Sequence, residues 1–194
     1  MKLRELGTVR SGLVLARKQS KEKSEFRYSL LNLRSILPDG SIDRSQVEVF
    51  YTVEPLKREY LSQKGDLLIR LTTPYTAVLI DEQTAGMVIS SHFVVIRLNT
   101  TLVLPEYLFW LLNTSKVKRN IFESTTSNVL GAVKTTYFSE FDLEILPIDQ
   151  QKKIAELNFL AKREYQLLRE LAEQKEKYHA CLLGQAYQRI KRGI

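Results

Sequence analysis

Residues able to do catalytic chemistry are few in this chain, and none of them stand together. Of 194 residues one is a cysteine, Cys181, and two are histidines, His92 and His179. A single thiol forms neither an intrachain disulfide nor a cysteine-based zinc site. His92 lies in a β-rich run with no nucleophile or acid beside it, so it reads as a strand residue rather than a catalytic base. The chain contains no G-x-G-x-x-G and no G-x-x-x-x-G-K-[ST], the backbones that cradle nucleotide phosphates. Thr73-Pro74-Tyr75 lacks the Asn and the second Pro of the Asn-Pro-Pro-Tyr signature of adenine methyltransferases. Glu173-Gln174-Lys175 has E-x-K spacing but falls in a helical stretch, where it is a surface pattern. The expectation is a protein that is not an enzyme and needs no cofactor or metal.

Binding chemistry is better represented. Lys and Arg number 29 against 22 Asp and Glu, a net charge of +7 that suits an anionic partner such as nucleic acid. Arg17, Lys18, Lys21 and Lys23, with Arg27 following, form a basic run suited to tracking phosphates. Glu22 and Glu25 dilute that run, and the competing reading is a solvated loop. Thr72, Thr73 and Tyr75 follow a strand-like segment, offering hydroxyls and one ring to base edges or backbone. Ser124, Thr125, Thr126, Ser127 and Asn128 form a second polar stretch leading to Gly131 and Lys134. A plain turn is the alternative for each. Arg34 and Arg70 are candidates for bidentate reading of guanine, whereas Arg97 is assigned to structure.

These residues need a scaffold. Val47–Val53, Gly65–Leu71, Thr76–Ile80 and Ser91–Leu98 are short runs of β-branched, aromatic and aliphatic residues, which read as strands. Pro38-Asp39-Gly40-Ser41 is a turn in which Pro presets φ and Gly supplies a positive one. Pro105–Asn113 has a proline at a first helical turn and apolar residues at helical spacing, continuing after Thr114-Ser115 through Lys116–Phe122. The predicted fold class is α+β: a mixed α/β domain with a curved sheet over residues 1–148, then one long coiled-coil helix over 149–194. The longest apolar stretch, Leu102–Leu112, is interrupted by Pro105 and Glu106 and is too short to span a bilayer. With no signal-like start, the expected location is the cytoplasm.

From Asp149 to Ile190 there is no proline, and Gly184 is the single glycine. A helix of that extent is about 42 residues and 63 Å long, too long to bury itself against one small domain. Heptad assignment places Ile154, Ala161, Leu168, Lys175 and Leu182 at a, and Leu157, Glu164, Leu171, Tyr178 and Gln185 at d. A parallel homodimer would set Glu164 on Glu164 and Lys175 on Lys175. An antiparallel homodimer instead matches Leu157 with Leu182, Ala161 with Tyr178, Glu164 with Lys175 and Leu168 with Leu171. Sliding by one heptad either way sets both Glu164 and Lys175 against leucine, burying charge without a partner. The predicted dimer is therefore antiparallel and two-fold, centred between Arg169 and Glu170.

Four segments also resemble a known family. Gly65-Asp66-Leu67-Leu68-Ile69 is similar to the G-D-[IL]-L-[IV] strand entry of type I restriction–modification specificity subunits. Ser90-Ser91-His92-Phe93-Val94-Val95-Ile96-Arg97 resembles their S-x-x-[FY]-x-V-[IL]-R segment, and Pro105-Glu106-Tyr107-Leu108 their P-x-Y-L helix start. Pro147 through Ala155, with Gln151 and Ile154, resembles their P-x-x-x-Q-x-x-I-A hinge, and Leu3–Val9 resembles the family's opening. The resemblance implies a non-catalytic target-recognition domain that reads one half of a split site in double-stranded DNA. It also implies docking to methyltransferase (M) subunits and restriction/translocase (R) subunits. A family subunit usually carries two such domains joined by an antiparallel coiled coil. Here one domain and one helix are present, and the homodimer supplies the second of each. The rival readings are a coiled-coil adaptor whose α/β domain binds protein, and a self-sufficient enzyme, which the missing cofactor motifs disfavour.

Overall fold

A computed structural model of the chain describes residues 1–125 and 133–193. The described chain divides into two compact units, Met1–Lys152 and Lys153–Ile194. The first contains α1 (Leu3–Leu6), β1 (Gly7–Ser11), β2 (Phe26–Leu31), β3 (Glu48–Thr52), β4 (Leu67–Arg70), β5 (Ala77–Leu79), β6 (Val88–Ile89), β7 (Phe93–Leu98), α2 (Pro105–Leu112), α3 (Ser115–Thr125) and α4 (Thr135–Ser139). The long helix α5 (Ile148–Lys191) begins in this unit and makes up the second. The strands distribute over two sheets, one of four strands in the order β1-β7-β4-β5 and one of three in the order β3-β2-β6.

Register explains why β4 and β7 read as unbroken apolar runs. Leu68 lies opposite Val95 and Val78, and these face a cluster with Leu31 and Ile89 from the smaller sheet. Leu67, Ile69, Val94 and Ile96 point to the other face and are wholly buried as well. Both faces of β4 and of the Phe93–Ile96 part of β7 are therefore covered, so alternation of apolar and polar residues is absent there. Asn113, just after α2, clasps β5 by accepting from Ala77 N (3.1 Å) and donating to Ala77 O (3.0 Å). The turn foreseen at Pro38–Ser41 packs here too: Gly40 has φ +82°, and a Cβ on it would stand 2.5 Å from Ala77 O. Only glycine tolerates both conditions.

The start of α5 is tied down by one side chain. Gln151 is fully buried; its Oε1 accepts from Leu104 N (2.9 Å), and its Nε2 donates to Leu102 O (2.8 Å) and Leu146 O (2.7 Å). Within the second unit Ala155 is buried and Ile154, Asn158 and Lys162 are partly buried, whereas residues 163–193 are exposed; Leu157, Leu160, Leu168, Leu171, Tyr178 and Leu182 are all open to solvent. Some of its charged and polar side chains bond along the helix, Arg169 to Glu173 (3.8 Å) and Gln166 to Glu170 (2.9 Å).

Candidate nucleic-acid interface

The basic run is laid along a strand edge. Ser20 N donates to Tyr51 O (2.9 Å) and Val53 N to Lys18 O (3.1 Å), so Lys18–Ser20 covers the outer side of β3. That contact satisfies an edge whose backbone would otherwise be open. Lys18 is neutralised by an ion pair with Glu54; the hydrogen bond between them raises the lysine pKa and lowers the carboxyl's. Arg17, Lys21 and Lys23 are exposed and have no acid partner among the described residues. Arg27 stands exposed on β2 opposite Tyr51. Lys57 and Arg58, which sequence reasoning passed over, follow Leu56, whose N–H donates to the Tyr28 hydroxyl (3.0 Å). Both are exposed and without an ion pair among the described residues. They add to the unpaired cations near the smaller sheet, and a count of unpaired charges following a strand could have found them.

The hairpin between β4 and β5 gathers a second group. Arg70 N donates to Thr76 O (3.1 Å), Leu71 N to His92 O (3.0 Å), and Val133 N to Leu71 O (3.1 Å). The last bond sets Lys134 beside the Thr72–Tyr75 turn, so residues some sixty positions apart in sequence become neighbours. The Thr73-Pro74 peptide is cis, Thr73 is exposed, and Tyr75 has φ +53° with its ring buried at 3% exposure. Tyr75 thus anchors the turn from below, and Thr72 and Thr73 carry its outer surface. Arg34 is engaged by Glu48 in an ion pair, away from this hairpin on the smaller sheet.

Helix α3 contributes cations that sequence reasoning left unassigned. Val117 and Ile121 are buried, while Lys116 and Arg119 project into solvent and Lys118 is half-buried. Burial of Lys118 lowers its pKa, since desolvation disfavours the ammonium. Ser124 spends its hydroxyl on Ile121 O (2.6 Å), and Thr125 is the last residue of α3. Thr126, Ser127 and Asn128 lie outside the described residues. Among the described residues no group of His, Cys, Asp and Glu could hold a metal ion, and no described helix is long and apolar enough to cross a membrane.

Asp66 has a side chain 1% exposed and accepts from Arg97 Nε (2.7 Å), an Arg97 terminal nitrogen (2.6 Å) and Gln63 N (2.8 Å). The bond to Asp66 raises the Arg97 pKa. Arg97 is structural, and it joins two of the four sequence motifs. The other two are joined by Gln151, which reaches the residue directly before Pro105.

The type I restriction modification DNA specificity domain family matches residues 1–174. The chain belongs to that family. Solved structures share the fold of this specificity domain. A chain from a structure on complex assembly and conformational transition of the type I R-M system has TM-score 0.67 at 18% identity, covering 91% of this chain and 45% of that one. The HsdS subunit from Thermoanaerobacter tengcongensis has TM-score 0.65 at 19% identity, again over 91% and 45%. The type I restriction-modification S subunit from M. genitalium has TM-score 0.54 at 13% identity, over 89% and 41%. The chain therefore spans less than half the length of these relatives. No curated protein matches it. In the specificity domain Asp66 meets Arg97 and Gln151 meets the backbone before Pro105, so these motifs contact each other, while Arg17, Lys21, Lys23, Arg27, Thr73 and Lys134 lie outside them.

Proposed function

We propose that this chain is a non-catalytic DNA reader, the specificity component of a type I restriction–modification complex in the cytoplasm. It recognises one half of a bipartite site and works with M and R subunits. The observation that carries this reading is the family match over residues 1–174, on a fold whose exposed surface presents cations without ion pairs among the described residues. Phosphate contacts from Arg17, Lys21, Lys23 and Arg27 position the duplex, and the Thr72–Thr73 turn with Lys134 faces base edges.

The second half of the bipartite site is read by a second copy. The apolar stripe of α5 at Leu157, Leu168, Leu171, Tyr178 and Leu182 is exposed, and burying it supplies the drive for pairing. Glu164 and Lys175 are exposed within the same stripe, and the antiparallel register is the one that matches them. A two-fold homodimer reads an interrupted inverted repeat, because site symmetry mirrors protein symmetry.

The test is methylome sequencing of a host expressing the chain together with the methyltransferase of the same system. The expected outcome is methylation at an interrupted palindrome that disappears when the chain is deleted. Methylation unchanged by the deletion would refute the reading.

A further inference from the structure

We infer that Arg70 is the guanine-reading residue of this surface, a conclusion that rests on the DNA-reading function proposed above. Among the described residues three arginines are half-buried: Arg10, Arg70 and Arg97. Arg10 donates to Glu59 O and Arg97 is held by Asp66. Arg70 has no ion pair and no side-chain hydrogen bond among the described residues, and its Nε is buried without an acceptor. A buried N–H left unmet is costly, and native structures rarely keep one without a reason.

Register supplies the second observation. Ile69 lies opposite Ala77, and Arg70 N bonds Thr76 O, so Arg70 and Thr76 are the next cross-strand pair and project to one face. Thr76 Oγ1 is likewise buried without a partner. Two unmet polar side chains therefore stand side by side at the mouth of one hairpin. Burial of Nε holds the guanidinium stem, so the fork loses little conformational freedom on binding. Thr72, Thr73 and Lys134 surround the same turn and face the base edges beside that guanine. Guanine offers O6 and N7 to such a fork in the major groove. Arg34, the other arginine considered for this role, already has its guanidinium engaged by Glu48.

A phosphate would also satisfy a guanidinium, and the experiment separates the two. The full-length protein is used to select from duplex DNA with a randomised core, and Arg70→Ala and Arg70→Gln are carried through the same selection. The wild type enriches a half-site containing guanine. Arg70→Ala loses preference at one guanine position and binds the enriched duplex about 10- to 100-fold more weakly, with affinity for the unselected pool unchanged. Arg70→Gln shifts the preference at that position toward adenine, a gain that misfolding cannot produce.

The assignment is overturned if Arg70→Ala keeps the guanine. It is equally overturned if both DNA pools weaken together, the mark of a phosphate contact, or if both variants unfold, the mark of a scaffold residue. A wild type that enriches no sequence fails differently: it removes the DNA-reading function itself.

Discussion

Replacing Gln151 with leucine tests whether one buried amide holds the first turn of α5. The change keeps the volume but removes three hydrogen bonds, leaving Leu104 N, Leu102 O and Leu146 O without their partner. Leu102 is 59% exposed, which opens its carbonyl to water, whereas Leu104 and Leu146 are half-buried. Counting two groups at 1–3 kcal/mol each gives a loss of about 2–6 kcal/mol. With a urea m-value of about 2 kcal/mol/M, the unfolding midpoint falls by roughly 1–3 M. Gln151→Glu gives a second readout. A carboxylate still accepts from Leu104 N but sets negative charge against two carbonyl oxygens, so its folded-state pKa rises above the usual value near 4.3. The folded state then binds more protons than the unfolded one. The variant therefore gains stability as pH falls through the raised pKa and loses it as pH rises. A midpoint shift below about 0.3 M for the leucine variant, or a pH profile for the glutamate variant that parallels the wild type, would refute the reasoning.

Three further outcomes are expected. Glu164→Lys places like charges together twice in the two-fold dimer and weakens it about 5- to 10-fold, and adding Lys175→Glu restores it; sedimentation equilibrium decides, and a double variant no tighter than the single one rejects the register. Asp66→Asn or Arg97→Ala breaks a pair whose carboxylate is 1% exposed, costing about 3–5 kcal/mol and lowering the thermal midpoint by roughly 10 °C, and a drop under about 3 °C contradicts the pairing. Replacing Lys21 and Lys23 together with alanine lowers the slope of log K against log salt by about 2 and weakens all duplexes alike; an unchanged slope in a salt titration places the duplex elsewhere.

Much of the architecture was legible in residue order. Pro147, then no further proline, marks where α5 begins, and its helix formers carry it to Lys191 because that conformation is local. Strands at β3, β4, β5 and β7 and the turn at Gly40 were readable for the same reason: β-branched runs and glycine act through their own φ and ψ. The motifs also announced the family, yet their residues proved to be internal joints. Asp66 finds Arg97, and Gln151 finds the backbone ahead of Pro105, each fixing the scaffold from within.

What tertiary structure decided was which polar residues remain available. The sequence presents Arg34 and Arg70 as equals, and only folding gives Arg34 an acid and leaves Arg70 with none among the described residues. It offers Tyr75 as a surface ring, and the turn buries it. Lys134 joins the Thr72–Thr73 turn through a single backbone bond from Val133 to Leu71. Division of the strands into two sheets was equally hidden, since β6 is two residues long and pairs parallel with β2 from far along the chain. Helix and turn are set by neighbours in sequence. Ion pairing, burial and sheet partnership depend on groups brought together from a distance, and composition and spacing do not encode those distances.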